Sequence, residues 1–383
     1  MTTAERLRTV GTWSGQDVDA DAVQSQLTKL WRAAGEHAHH NGEPATTRTN
    51  VLTLVVYADT EAAATHVQEA VGALAEHHPS RTILVHAEPG ANVSSLAADV
   101  VTRCRIDRPQ VCFEQIVLHA SGSVVEQVSS AVASLLLRDL PTILWWPDDI
   151  REQSELLRRL MDLCDGVIVD SASFAEPTVS LPTLLSLLQQ QSSIVADLQW
   201  ARLNGWRDIT AQFFDTPASR AYLDDLTSVE VDVRVGDRPG LPAAGLLYVA
   251  WLAGRLGWRL DTVPLAADAG GQFALTAGDR QVAITLRAVA RDETTGDQIS
   301  AVRLQAGTAD KITQFAIHCA SEDQVTTRTA EAGMPPVERS MRLAAPTDSM
   351  MLAQMLGYLR RDAVYERSMR LLGGWLGVSP GGQ

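Results

Sequence analysis

Between Val51 and Gln190 the chain alternates short, unbroken apolar runs with segments whose apolar residues recur at helical spacing, and few folds accept that grammar. Val51-Leu-Thr-Leu-Val-Val-Tyr57 is too continuous for a strand with one wet face, so it reads as buried on both. Asp59 or Thr60 then caps a helix whose Ala63, Val67, Ala70, Val71 and Leu74 share a face. A second strand is expected over Thr82–His86, a helix over Ser94–Cys104, a strand through Gln115–His119 and a helix lined by Val124, Val128, Val132 and Leu135. Pro141 and Pro147 bracket a strand, Thr142–Trp146; helix Glu152–Leu163, strand Gly166–Asp170 and helix Leu181–Gln190 complete the series. Such alternation predicts a doubly wound, mostly parallel α/β sheet with helices on both faces.

This Rossmann-like domain is expected to occupy 49–192. Residues 1–48 are polar, with one short helix in Val18–Ala34, where Val23, Leu27, Leu30 and Trp31 line up. Helical spacing returns from Asp197 to Asp215, broken at Asn204-Gly205, so 193–228 reads as a helical connector in which Arg202 and Trp206, four apart, are placed to stack. Residues 229–383 read as a second domain. Val229–Val235 is a strand, Pro242 opens an apolar helix over Ala243–Leu256, and Gly257 ends it. Alternating segments around Val282, Ile284 and Leu286, then Val302 and Leu304, then Phe315 and Ile317 follow, separated by turns at Gly278-Asp279 and Thr295–Asp297. Alternation with short turns predicts an α+β domain built on an antiparallel meander. Asp348 is expected to cap a later helix.

The prominent corner is Trp145-Trp146-Pro147-Asp148-Asp149. Side chains alternate along a strand, so the two indoles point to opposite faces, at the carboxyl edge where ligands gather in open parallel sheets. The motifs of nucleotide chemistry are missing. No glycine-rich turn follows Tyr57, and there is no phosphate loop, nucleophile elbow or His-Glu-x-x-His, so neither a cofactor nor a metal is expected. His37-Ala-His-His40 reads as a solvated loop, lacking acidic or cysteine ligands at metal spacing. His78, Ser80 and Arg81 precede a strand, on the edge opposite the crevice.

A formal net charge of -14 excludes a nucleic-acid binder, which needs a clustered basic face. Only Lys29 and Lys311 are lysines, so Schiff-base chemistry has little to work with. No apolar stretch is long enough for a bilayer and no leader is visible, which points to the cytoplasm. Four cysteines are too few for a disulfide framework; Cys104 and Cys112, eight positions apart, are the one close pair and a weak candidate for redox chemistry.

Five stretches together resemble a known family. His78-Pro-Ser-Arg81, Cys112-Phe-Glu-Gln-Ile116, Leu140-Pro-Thr-Ile-Leu-Trp-Trp146, Asp197-Leu-Gln-Trp-Ala-Arg-Leu-Asn-Gly-Trp-Arg207 and the apolar Leu246–Trp258 occur in the order seen in the OpcA family of bacterial glucose-6-phosphate dehydrogenase assembly proteins. The resemblance implies a non-catalytic partner that binds this dehydrogenase as a hetero-oligomer and activates it allosterically, controlling entry to the oxidative pentose phosphate pathway. In some members control is linked to thioredoxin through cysteines; this chain has none after Cys319. Tryptophan and arginine are enriched at the energetic centres of interfaces, which nominates His78, Arg81, Trp145, Trp146, Trp200, Arg202, Trp206 and Arg207 as partner contacts. The alternative is a sugar-phosphate sensor or enzyme using the Trp-Trp-Pro-Asp-Asp corner, with Arg202 or Arg207 gripping the phosphate.

Overall fold

The structure, a computed structural model, describes residues 7–42, 47–74, 78–105, 111–150, 154–190, 194–235, 240–260, 271–290, 298–308, 311–321, 323–357 and 360–378. The turn expected at Thr295–Asp297 and the start of the helix expected from Glu152 lie outside these residues. The first half contains β1 (Leu7–Gly15), α1 (Ala20–His40), β2 (Thr47–Arg48), β3 (Thr53–Ala58), α2 (Glu61–Leu74), β4 (Arg81–Glu88), β5 (Ser95–Arg105), β6 (Val111–Ser121), α3 (Val128–Leu135), β7 (Thr142–Trp146), α4 (Glu155–Met161), β8 (Gly166–Val169), α5 (Pro177–Gln190) and β9 (Ile194–Asp197).

Strands β6, β4, β3, β7, β8 and β9 are parallel neighbours in that spatial order. Numbered as they occur, they run 3-2-1-4-5-6, the doubly wound arrangement, with its switch point between β3 and β7. The α/β expectation therefore holds. One face carries α1, α3, α4 and α5, and the other α2.

Two elements depart from expectation. Ser94–Cys104 is not a helix but β5, antiparallel to β6, with Ala98, Val100, Thr102 and Cys104 all buried at every second position. Period two, not helical spacing, is the pattern there, and the β-branched run Val100-Val101-Thr102 favours it. The short N-terminal helix is in fact α1, 21 residues long, and its Val23 and Leu27 enter the core beside Ile83, Val85, Ile116 and Leu118. Thus the N-terminal segment roofs the sheet, and β1 pairs with β5 along its edge. Hairpin pairing also makes Cys104 and Cys112 register partners, joined as a disulfide.

A buried ion pair fixes α1. Arg81, 2% exposed, donates Nε to Oε1 of Glu114, 0% exposed, at 2.6 Å. Trp31 of α1 donates its indole N–H to the other Glu114 oxygen at 2.6 Å, and Arg81 also donates to the Leu135 carbonyl that ends α3. Arg81 and Glu114 come from two of the stretches that carried the family resemblance.

The second half contains α6 (Leu198–Arg202), α7 (Asn204–Gln212), α8 (Pro217–Arg220), β10 (Leu226–Val235), α9 (Ala243–Leu256), β11 (Gln272–Ala277), β12 (Arg280–Ala290), β13 (Gln298–Thr308), β14 (Lys311–Cys319), β15 (Gln324–Glu331), β16 (Val337–Arg342), α10 (Asp348–Gly357) and α11 (Ala363–Trp375). The seven-stranded sheet is ordered β11-β12-β10-β13-β14-β15-β16, antiparallel except between β10 and β12. The meander was legible; the parallel pair arises because α9 crosses over between β10 and the β11–β12 hairpin. Every residue of α9 from Ala243 to Ala253 is buried, since β10 and β13 lie on one side and α5, α6 and α11 on the other. Gly257 closes the helix with φ 72°, the left-handed conformation its missing Cβ permits.

The connector breaks at Leu203, between α6 and α7, and not at Gly205. Gly205 serves close approach instead: a Cβ there would come within 2.3 Å of Leu343 Cδ1, in the strap that leads from β16 to α10. Helix α10 then packs on α2 and α6, and α11 on α9 and α5, so the chain's last helices return to the first sheet.

Replacing Glu114 by Gln strands the Arg81 charge in the interior. This should cost about 3–5 kcal/mol by chemical denaturation, whereas exchanging both residues for Met and Leu should cost clearly less.

Candidate functional site

The switch point between β3 and β7 is where this architecture offers a crevice. Trp145 and Trp146 do point to opposite faces, but neither reaches solvent: they are 0% and 4% exposed. Trp145 packs with Leu54, Ile168 and Leu198 on the α2 side. Trp146 stacks on Tyr57 with ring centroids 3.9 Å apart and planes at 3°. A strand covered by helices on both faces leaves its side chains no surface to present, so the expected exposed corner is an interior one. Asp149 turns inward too, accepting the Ala175 N–H at 3.1 Å and the Ser180 hydroxyl at 2.6 Å.

A cavity of about 470 Å³ remains at the crevice mouth, walled by Ala63 and His66 of α2, Pro147 and Asp148 after β7, Asp170 after β8, and Arg202. Its outer wall is the strap Ala345-Pro346-Thr347-Asp348 together with Gln298. Burial and the neighbouring Asp59 push the Asp148 carboxyl up to about 6, and burial with Asp59 and Asp148 pushes Tyr57 up to about 12. Helix α2 brings Glu61 in its first turn. A dinucleotide's phosphates would rest here against carboxylates instead of glycine amides.

Arg202 is the guanidinium that lines this cavity among the described residues, and both its Nη groups are engaged. Nη1 and Nη2 reach the two Asp170 oxygens at 2.6 and 2.7 Å, and Nη2 also reaches Asp348 Oδ1 at 2.8 Å. Burial opposes its charge, but the two carboxylates more than offset that and hold the guanidinium above its ordinary value. His66 Nε2 meets the other Asp348 oxygen at 2.8 Å, and that contact raises the imidazole pKa. Burial works against the Asp348 carboxylate, yet His66 and Arg202 keep it below the usual range. The expected capping role of Asp348 passes in part to Thr347, whose hydroxyl accepts the Met350 N–H.

The other nominated residues scatter. His78 is half-buried near Gly357 of α10, and Arg81 sits in the Glu114 pair at the opposite edge. Arg202 turns to Asp170, so its expected stack on Trp206 gives way to another: the Arg207 guanidinium lies 3.5 Å from the Trp200 ring centroid. Trp200 donates to Asp362 Oδ2 at 2.9 Å and leans on Tyr365, whose hydroxyl donates to Asp197 Oδ2 at 3.3 Å. Burial lifts the Asp197 carboxyl to about 6, while N–H groups of Ser171 and Gln199 restrain the shift. Trp200, Trp206 and Arg207 are all buried. Indeed all nine tryptophans lie in the core or packed against it, so they offer a partner no exposed anchors. The polar residues that matter at the crevice, Asp170, His66 and Asp348, carried no local signal, since Arg202 and Asp348 are 146 positions apart.

Among the described residues no cluster of three or more His, Cys, Asp or Glu is placed to hold a metal ion. His37, His39 and His40 end α1 as exposed helical residues rather than a loop.

Two domain profiles match this chain in succession: the glucose-6-phosphate dehydrogenase subunit N-terminal domain over residues 71–186 and the C-terminal domain of the same subunit over 193–369. The chain belongs to the OpcA family of glucose-6-phosphate dehydrogenase assembly proteins. It is 33% identical over 190 residues to the OxPP cycle protein OpcA of Nostoc punctiforme, covering 49% of this chain and 40% of that one. Against the OpcA of Synechococcus elongatus it is 30% identical over 293 residues, 72% of this chain and 63% of the relative. The chain thus spans less than two thirds of the curated relatives it matches. Among solved structures, a 3-ketoreductase from Actinomadura kijaniata (TM-score 0.49, 10% identity, 86% of this chain and 96% of that one) and the transcriptional regulator Gal80p from Kluyveromyces lactis (0.48, 9%, 90% and 95%) are similar. In this OpcA chain, the stretches that carry the resemblance form the buried joints: Arg81 with Glu114, and Trp200 with Arg207 against the last helix.

Arg202→Ala leaves the buried Asp170 without its cation and Asp348 with His66 alone, and should cost about 3–5 kcal/mol in urea unfolding, while Asp348→Ala, which leaves the bidentate Asp170 pair intact, should cost about 1–2 kcal/mol. Asp148 ionises at 3.8 unfolded and about 6 folded, so the folded state holds the extra proton between those values and stability falls as pH rises through that window. Asp148→Asn should therefore stabilise the protein by about 1–3 kcal/mol at pH 7.5, a gain that vanishes near pH 3.5 when the two proteins are unfolded in urea side by side.

Proposed function

We propose that this OpcA-family chain is a non-catalytic partner of glucose-6-phosphate dehydrogenase that joins it in a hetero-oligomer and shifts it toward its competent state. The observation that carries the reading is the crevice: where a dehydrogenase fold would seat a dinucleotide, Asp148 stands with Asp59 close enough to raise its pKa, and Arg202 is neutralised by two carboxylates. The same observation counts against a sugar-phosphate enzyme at this corner, because the one guanidinium that lines it among the described residues already pairs with two carboxylates. The relatives' naming for the OxPP cycle supports a place at the entry to the oxidative pentose phosphate pathway. No helix among the described residues is long and apolar enough to cross a membrane, and we place the protein in the cytoplasm with the dehydrogenase. Any thioredoxin link belongs to the Cys104–Cys112 disulfide, the one bonded pair among the described residues.

Since the nominated tryptophans are interior, the docking surface is sought elsewhere. The second sheet has α9 on its inner face, while its outer face presents Ala283, Thr285, Arg287, Arg303 and Ala316 without a covering helix among the described residues. We assign this face to the dehydrogenase. A partner activates only through tighter binding of the active state, a difference of about 1–3 kcal/mol.

Mixing the chain with the dehydrogenase should give one co-sedimenting species and a leftward shift of the substrate saturation curve. Ala283→Arg with Ala316→Arg, at surface-facing positions, should abolish both while leaving the melting temperature within about 2 °C. An unchanged saturation curve with no complex would sink the proposal, as would oxidation of glucose 6-phosphate by this chain alone.

A further inference from the structure

A second cavity, of about 520 Å³, opens between α7, α9 and the start of α11. Its floor is Arg207, 9% exposed. The guanidinium is backed by the Trp200 face, and Nη2 donates to Asn204 Oδ1, but Nη1 is buried with no acceptor, and no carboxylate among the described residues forms an ion pair with it. A buried cation ordinarily has a counter-charge, because desolvation without one is costly. Burial, helped by the more weakly felt Arg255, lowers this guanidinium to about 10 against the opposing charges of Asp362 and Asp208. Arg255 of α9 stands exposed on the same cavity, also without an ion pair among the described residues.

Two carboxylates share the wall. Asp362 is engaged on both oxygens, by Trp200 Nε1 and by the Val364 and Tyr365 N–H groups that begin α11, and Asp208 is exposed. Neither pairs with Arg207. Beside Asn204 and Thr210, the remaining wall is largely apolar, with Phe214, Trp251 and Leu252. A cavity of a few hundred Å³ with an apolar wall and two converging guanidinium groups has the form of a small-ligand site.

We propose that this cavity binds a small organic anion, its phosphate or carboxylate oxygens taken by Arg207 at the floor and Arg255 at the mouth, and its body against Trp251 and Leu252. The guanidinium forks suit either oxyanion. Because α7 and α9 both line the cavity, occupancy would brace the joint between the two sheets. The proposal stands apart from the assembly role, since it concerns the chain alone.

The test is calorimetry and thermal melting of the full chain with inorganic phosphate, glucose 6-phosphate and citrate, each against sodium chloride at equal ionic strength. At least one of the organic probes should bind saturably and raise the Tm. Strength in glucose 6-phosphate assigns a phosphate ligand and strength in citrate a carboxylate. Arg255→Ala, at an exposed position, should weaken binding about tenfold. Arg207→Met should abolish it and, lacking a stranded charge, should melt no lower than the parent in the absence of probe. Binding to none of the probes beyond the chloride control, or binding undiminished by Arg255→Ala, overturns the proposal.

Discussion

A helix with no polar face cannot stand at a surface, and α9 has none: from Ala243 to Ala253 every side chain is buried. It must be roofed on all sides, and only two sheets with their accompanying helices supply enough apolar surface. The inner residues of β10 and β13 take one flank; α6 and the returning α11 take the other. One continuous apolar cluster therefore runs through both halves of the molecule, from Val23 in α1 to Trp375 in α11. The chain's order follows from this requirement, because the last two helices must travel back across the molecule to close over α9 and the first sheet.

Three buried arginines show how differently a charge can be housed. Arg81 pairs with one glutamate, Arg202 pairs with two aspartates, and Arg207 forms no ion pair among the described residues, although Asp208 and Asp362 share its cavity. The first locks α1 onto the sheet edge. The second draws the strap across the switch-point crevice, so that the position reserved for a ligand in this architecture is crossed by the chain's own Ala345–Asp348. The third leaves charge unbalanced beside the central helix. Stability, closure and ligand affinity thus come from one residue type, distinguished only by the carboxylates the fold delivers to it.

The tryptophans make the complementary point. Counting aromatic and guanidinium groups suggested an interface, yet a parallel sheet covered on both faces consumes such residues internally. Trp146 spends its ring on Tyr57, and Trp200 is held between Arg207 and Tyr365. The face of the second sheet proposed for a partner carries alternating polar residues that look ordinary in isolation.

Local order was readable because its causes are local. Continuous apolar runs marked β3, β4, β7 and β8; heptad-like spacing marked α2 and α4; Gly257 marked the end of α9; and alternation marked the meander. Period two in Ala98, Val100, Thr102 and Cys104 was also there to be read, and it distinguishes β5 from a helix. Contacts that bridge long separations were not readable: Arg202 with Asp348, Trp200 with Asp362, and Arg81 with Glu114. No periodicity encodes them, because burial and counter-charge are properties of the packed molecule, and only its tertiary structure decides which arginine is paired and which is left waiting for an anion.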